Sequence, residues 1–212
     1  MNLTKPKKII IPLAEGLAWG NDGAIYQQKL DGKFCTRNWQ GNLLAGELMP
    51  DDHFIAWDIL SASDEGDCRL ACTLERLKIL VAAREHLASE GIGLVPFTLG
   101  NGGEFLQQVL EAGCEGVVRK LPDSNYYATM QACKRLQTWH CVVTSLDISH
   151  GSAAILDAAT GENRGTCPLR NRAPRCRVGS TIKVEGLCLT KEGKIRDPRP
   201  CKDTPESWLI KF

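Results

Sequence analysis

The sequence has no Cys-x-x-Cys pair and no apolar run that approaches the length of a membrane span. Only four histidines accompany its ten cysteines, so a structural zinc site is not expected. Ile9-Ile10-Ile11 follows Lys7-Lys8, but Pro12 and Glu15 cut the apolar run short, which argues against a secretory signal. The ten cysteines therefore read as reduced, mostly buried thiols in a cytoplasmic protein, or in a viral or phage protein acting in its host's cytoplasm. Internal repeats and low-complexity segments are also missing. With 43% hydrophobic and 24% charged residues, the 212-residue chain has the composition of a folded globular protein, large enough for one domain or two small ones.

Net charge is the other shortage. A balance of +1 gives no overall pull toward a polyanion, but it hides a split. Residues 1–50 carry 6 basic and 4 acidic side chains, residues 51–120 carry 6 and 12, residues 121–150 carry 2 and 2, and residues 151–212 carry 12 and 7. The last segment is a basic block of +5 on a near-neutral chain.

Hydrophobic patterning divides the chain at about residue 143. Strand-like runs are expected at 8–13, 24–30, 34–39, 43–49, 53–60, 91–97 and 114–120, with helices at Leu74–Leu87, capped by Thr73, and Gly102–Ala112. The stretch 141–148 is strongly β. After His150-Gly151-Ser152 only short strand candidates recur, at 153–157, 165–169, 180–190 and 193–196, separated by turn-forming residues. The expectation is an α+β domain over 1–143 and a small all-β domain over 144–212.

Four stretches carry residue types suited to chemistry. Lys29-Leu30-Asp31-Gly32 puts an amine at a strand end before a turn, at the rim of a sheet. Such an amine becomes a nucleophile once neighbouring cations or desolvation release its lone pair. Glu115-Gly116-Val117-Val118-Arg119-Lys120 can bring a carboxylate beside that rim. Gly46-Glu47-Leu48 and the strand Phe54-Ile55-Ala56-Trp57-Asp58-Ile59-Leu60 add a second carboxylate and an aromatic. Lys134 precedes Thr138-Trp139-His140-Cys141-Val142-Val143. Taken singly, each also suits an ordinary role: an exposed lysine before a turn, a buried strand, a core tryptophan.

In order and spacing, the four together resemble the covalent nucleotidyltransferase superfamily, and specifically the ATP-dependent DNA ligases. Lys29 to Gly32 is similar to the adenylated-lysine motif. Gly46 to Leu48 resembles the Asp-Gly-Glu-Leu strand, with Ala45 in place of the aspartate. Glu115 to Lys120 is similar to the Glu-Gly-Val-Val-x-Lys motif, and Lys134 resembles the second lysine of Lys-x-Lys, with Ala132 at the first. Gly193-Lys194-Ile195-Arg196-Asp197-Pro198 is similar to the end of the ligase OB-fold domain. Phe34 stands where the family usually has an arginine, and Arg199-Pro200-Cys201-Lys202-Asp203 is a blurred form of its C-terminal Arg-x-Asp-Lys motif.

The resemblance implies an adenylation domain followed by an OB-fold domain, in a monomer with no membrane association that seals nicked double-stranded DNA through a lysyl-AMP intermediate. The expected cofactors are ATP and Mg²⁺, with Mn²⁺ able to replace it. Lys29 would be the nucleophile, Asp31 its orienting group, and Lys134 the cation on the phosphate, with Lys120 a second. Glu47 would hold the ribose or a metal, Glu115 the metal, Trp57 the adenine and Arg37 the ribose or a phosphate. The clustered Arg164, Arg170, Arg172, Arg175 and Arg177, together with Arg196, suit a phosphate-tracking surface. An RNA ligase, a capping-type guanylyltransferase and a nucleotide- or DNA-binding module without turnover are the alternatives.

Overall fold

A computed structural model describes residues 5–169 and 176–201. The chain divides into two units, Met1–Arg135 and a second that begins at Leu136. No helix among the described residues is long and apolar enough to cross a membrane.

The first unit contains two sheets. One has the order β1-β10-β9-β2-β8, built from β1 (Lys8–Ile11), β2 (Ile25–Lys29), β8 (Phe97–Leu99), β9 (Gly116–Lys120) and β10 (Met130–Lys134). The other runs through β3 (Lys33–Trp39), β4 (Asn42–Leu48), β5 (Phe54–Ala62) and β6 (Gly66–Asp67), with β7 (Ile92–Leu94) parallel to β5. Alternation assigns the two faces of the first sheet. Tyr26 and Val117 pack with Leu106 and Val109 of α4 (Gly102–Glu111), while Gln27, Lys29, Val118 and Lys120 face a cleft. Burying a side chain such as Leu106 contributes about 1.5–3 kcal/mol. The second sheet is covered by α2 (Thr73–Ala82) and α3 (Arg84–Ser89), whose Leu80 and Leu87 pack on Leu44, Phe54 and Ile59.

Several details differ from the sequence reading. The helix expected over 74–87 is broken at Ala83 into two. Thr73 is its first helical residue and makes no cap; its hydroxyl donates to the Ser124 carbonyl at 2.7 Å. A five-residue helix, α1 (Leu13–Leu17), and strand β10 were not anticipated. The expected strand 193–196 is reduced to a bridge between Leu189 and Ile195.

In the second unit, β11 (Gln137–Asp147), β12 (Ser152–Asp157), β13 (Asn163–Pro168), β14 (Thr181–Gly186) and β15 (Arg199–Pro200) form one antiparallel sheet in the order β13-β12-β11-β14-β15. Strand β11 lies wholly in this unit, because it pairs along its length with β12 and β14. The division is therefore at 135/136 rather than at 143/144. The Ile195 N–H donates to the Arg164 carbonyl at 2.9 Å, so the chain beyond β14 returns to β13 and curls the sheet. Cys141, Cys167 and Cys176 belong to its core with Val143, Ile155, Ile182 and Val184. Burial, with Asp157 nearby, pushes the Cys141 thiol up to about 11; burial, with Cys141 nearby, pushes Cys167 up to about 12. Such thiols are packing residues, not nucleophiles.

Candidate active site

The cleft of the first unit is bordered by Lys8, Lys29, Glu47, Trp57, Lys120 and Met130, among others. Strand β2 ends at Lys29, and antiparallel pairing sets Lys29 opposite Gly116 of β9. Glu115, just before that strand, forms an ion pair with the Lys29 ammonium through Oε2. Its other oxygen, Oε1, lies 3.7 Å from the Lys134 Nζ. One carboxylate thus sits between two amines, and all three side chains are largely buried. Gly116 makes the arrangement possible. A Cβ there would run into the Cys133 carbonyl oxygen and lie 2.7 Å from Lys134 Cα, so a side chain would push β9 away from β10.

Glu47 on β4 is buried. Its Oε2 accepts from the Gly32 N–H at 2.9 Å, and its Oε1 pairs with Lys5. The first of these contacts ties the loop after Lys29 to the second sheet. Below the cleft lies a buried charge network. Arg76 of α2 donates to Asp58 twice, at 2.7 Å from Nε and 3.1 Å from Nη2, and Lys120 Nζ lies 3.7 Å from the same carboxylate. Burial drives the Lys120 amine down to about 8, with Asp58 opposing and Arg76 reinforcing that shift. The Lys120 ammonium also stands 4.6 Å from the centre of the Trp57 ring. Tyr126 is parallel to that ring at 6.2 Å, and Phe34 is tilted against it at 6.1 Å.

No protein-family model and no curated protein matches the sequence. Solved structures do. A structure from a study of DNA binding with a minimal scaffold by Lig E DNA ligases superposes with a TM-score of 0.71 over 94% of this chain and 99% of that chain, at 16% identity. The ligase domain of M. tuberculosis LigD superposes with a TM-score of 0.51 over 98% of both chains, at 14% identity. The chain has a DNA ligase fold. Both matches take in nearly the whole chain, so the likeness extends over both units.

Within this ligase fold the residues singled out from sequence separate into three groups. Lys29, Glu47, Trp57 and Lys120 line the cleft, and Glu115 and Lys134 join Lys29 at its rim. Asp31 is half-buried in the loop between β2 and β3 and is not a lining residue. Arg37 is away from the cleft. The β3–β4 register pairs Phe34, not Arg37, with Glu47; Arg37 is exposed, its guanidinium 5.9 Å from the Phe54 ring centre. The nucleotide contact expected of Arg37 is therefore withdrawn.

In the second unit Arg164 is buried and paired with Asp157 at 3.0 Å and Glu162 at 2.8 Å, which takes it out of any phosphate-binding surface. Arg177 and Arg196 are exposed. Arg170, Arg172 and Arg175 lie outside the described residues.

Sequence reasoning missed Lys5, Lys8, Asp58 and Arg76. Arg76 left a signal: it falls three residues after Thr73 and four before Leu80, on the buried stripe of α2. Lys5 and Lys8 left none, since their position depends on the pairing of β1 with β10, more than 120 residues away.

Proposed function

We propose that the chain is an ATP-dependent DNA ligase that joins a 5′-phosphate to a 3′-hydroxyl at a nick in duplex DNA. The observation that carries this reading is the Lys29–Glu115–Lys134 arrangement at the rim of a cleft in a ligase fold. The OB-fold assignment of the second unit is part of the proposal, supported by its five antiparallel strands and their curl. The domains are then an adenylation domain ending near Arg135 and an OB-fold domain after it.

Lys29 Nζ attacks the α-phosphorus of ATP. A phosphorus–nitrogen bond forms, the bond to the bridging oxygen breaks, and pyrophosphate leaves with the electron pair. The amine must first give up a proton, and Glu115 Oε2, already paired with it, is placed to receive that proton. AMP then passes to the 5′-phosphate of the nick, and the 3′-hydroxyl displaces it. Each transfer concentrates charge on non-bridging oxygens, which the Lys134 ammonium offsets from a fixed position. Glu47, anchored through Gly32, keeps the loop after Lys29 in place and faces the cleft beside the sugar position. Trp57 and Lys120 border the base.

Among the described residues no group of three or more ligating side chains is arranged to hold a metal. Mg²⁺ needs only one or two carboxylates when nucleotide phosphates supply the remaining oxygens, and Glu115 fits that donor role. Mg²⁺ bound there would neutralise phosphate charge.

The deciding experiment incubates the protein with α-labelled ATP or GTP and Mg²⁺ and looks for label that survives denaturation. Label from ATP, lost in Lys29→Ala, is the expected result. Label from GTP points instead to a capping-type enzyme, and no label from protein shown to be free of prior adenylylation points to a binding module. Sealing of nicked DNA against nicked RNA then fixes the substrate.

A further inference from the structure

The cleft contains a cation that the proposed reaction has not used. Lys8 opens β1, and the parallel register with β10 sets it opposite Met130; both side chains line the cleft with Lys29, Glu47 and Lys120. The charged groups around its amine are Lys5 from the preceding segment, Lys29 from β2, Lys120 from β9 and Glu47 from β4. Each of the other three lysines is paired with a carboxylate: Glu47 for Lys5, Glu115, shared with Lys134, for Lys29, and Asp58, shared with Arg76, for Lys120. Among the described residues the Lys8 ammonium has no ion pair and no hydrogen bond. The side of the cleft next to Lys29 thus has more positive charge than its carboxylates balance. Such a surplus favours an anionic ligand.

We propose that Lys8 is a phosphate-binding residue of the nucleotide site, contacting the phosphate groups of the ATP whose α-phosphorus faces Lys29. The nucleotide part of this inference rests on the ligase reading; the anion part rests on the cleft alone. The protein's own groups make the cleft a poor place for a charged amine. Burial and the three neighbouring lysines bring Lys8 down to about 7. A polyphosphate reverses that balance, so Lys8 takes up a proton from solvent as the ligand binds, and ATP affinity falls as pH rises above about 7.

The test is calorimetric titration of ATP, adenosine and inorganic tripolyphosphate into the wild type, Lys8→Met, Lys8→Arg and Lys7→Met. The last removes an exposed charge beside the site and serves as the control. Lys8→Met is expected to weaken ATP and tripolyphosphate by about tenfold to a hundredfold, the range for a hydrogen bond to a charged group, and to leave adenosine unchanged. Lys8→Arg should retain ATP, and Lys7→Met should change little. Titrations at pH 8 in two buffers of different ionisation enthalpy should show proton uptake on ATP binding by the wild type and its loss in Lys8→Met.

An equal loss for ATP and adenosine, no loss for either, or uptake that persists in Lys8→Met overturns the assignment. So does a wild type that binds neither ATP nor tripolyphosphate. A wild type that binds ATP through Lys8 yet forms no lysine adduct would reject the ligase reading and leave this assignment standing.

Discussion

Buried charge is distributed unevenly between the two units. Among the described residues the first buries Glu47, Asp58, Arg76, Lys120 and Lys134, whereas the second buries only Arg164. Ionised groups taken out of water cost several kcal/mol each unless they are paired and hydrogen-bonded, and an apolar replacement of a whole pair is often no less stable. The second unit follows the cheaper design, with cysteine, valine and isoleucine inside and arginine outside. The first departs from it only around one cleft. That departure coincides with the cleft where the proposed chemistry is set.

The contrast can be broken or sharpened by experiment. The largest effect is expected at Lys29. Lys29→Ala should remove adduct formation altogether, with a loss beyond ~10³-fold in a radiolabel assay, because it takes away the proposed nucleophile. Its thermal midpoint should stay close to that of the wild type, since Glu115 keeps Lys134 as a partner.

Asp58→Ala comes next and reverses the readout. It leaves Arg76 and Lys120 buried without their shared carboxylate and should cost about 3–5 kcal/mol in urea unfolding. A cost below ~1 kcal/mol would mean that the network is not as closed as its geometry indicates.

The third effect is a pH slope. Lys120 titrates near 8 in the folded protein and near 10.5 in an unfolded chain. Between these values the unfolded state holds the extra proton, so stability rises with pH, by at most about 1.4 kcal/mol per pH unit for one proton. Below pH 8 the full penalty is already present. Unfolding midpoints at pH 7.5 and 9.5 should show the rise, and Lys120→Met should lower it, leaving the part that Lys8 contributes.

The smallest effect belongs to the second unit. Arg164→Ala should cost only about 1 kcal/mol, because Asp157 still accepts from the N–H groups of Ala159 and Thr160 and Glu162 is exposed. Salt dependence of nicked-DNA binding should be unchanged in that variant, whereas Arg177→Ala should lower the slope by about one.

What could be read from the sequence follows the range of the interactions. Strands β2 to β5 and helix α4 were readable because alternation, turn residues and helical spacing are local signals. The approach of Glu115 to Lys29 was readable because a motif and a strand end fix both positions. Strand β10 was not: Met130–Lys134 has two small buried residues in the middle and acquires its strand character by pairing with β1 and β9. The Asp58–Arg76 pair spans 18 residues and two element types. Arg37 was misplaced because its role depends on hairpin register, which a count of residues from the nucleophile does not supply.

That hairpin has a consequence for anyone who wishes to alter the protein. Gln40 and Gly41, both at positive φ, make a two-residue turn between β3 and β4. β4 is held from its other side by β5, so an insertion of one residue at the tip would have to be absorbed by β3. Every side chain of β3 would change face, and the Gly32 N–H would slide off Glu47, 15 residues further along the chain. The turn acts as a ruler for the loop that follows Lys29. A tag or sensor loop grafted at this outwardly convenient site would change the reach of the nucleophile unless its length restored the original phase.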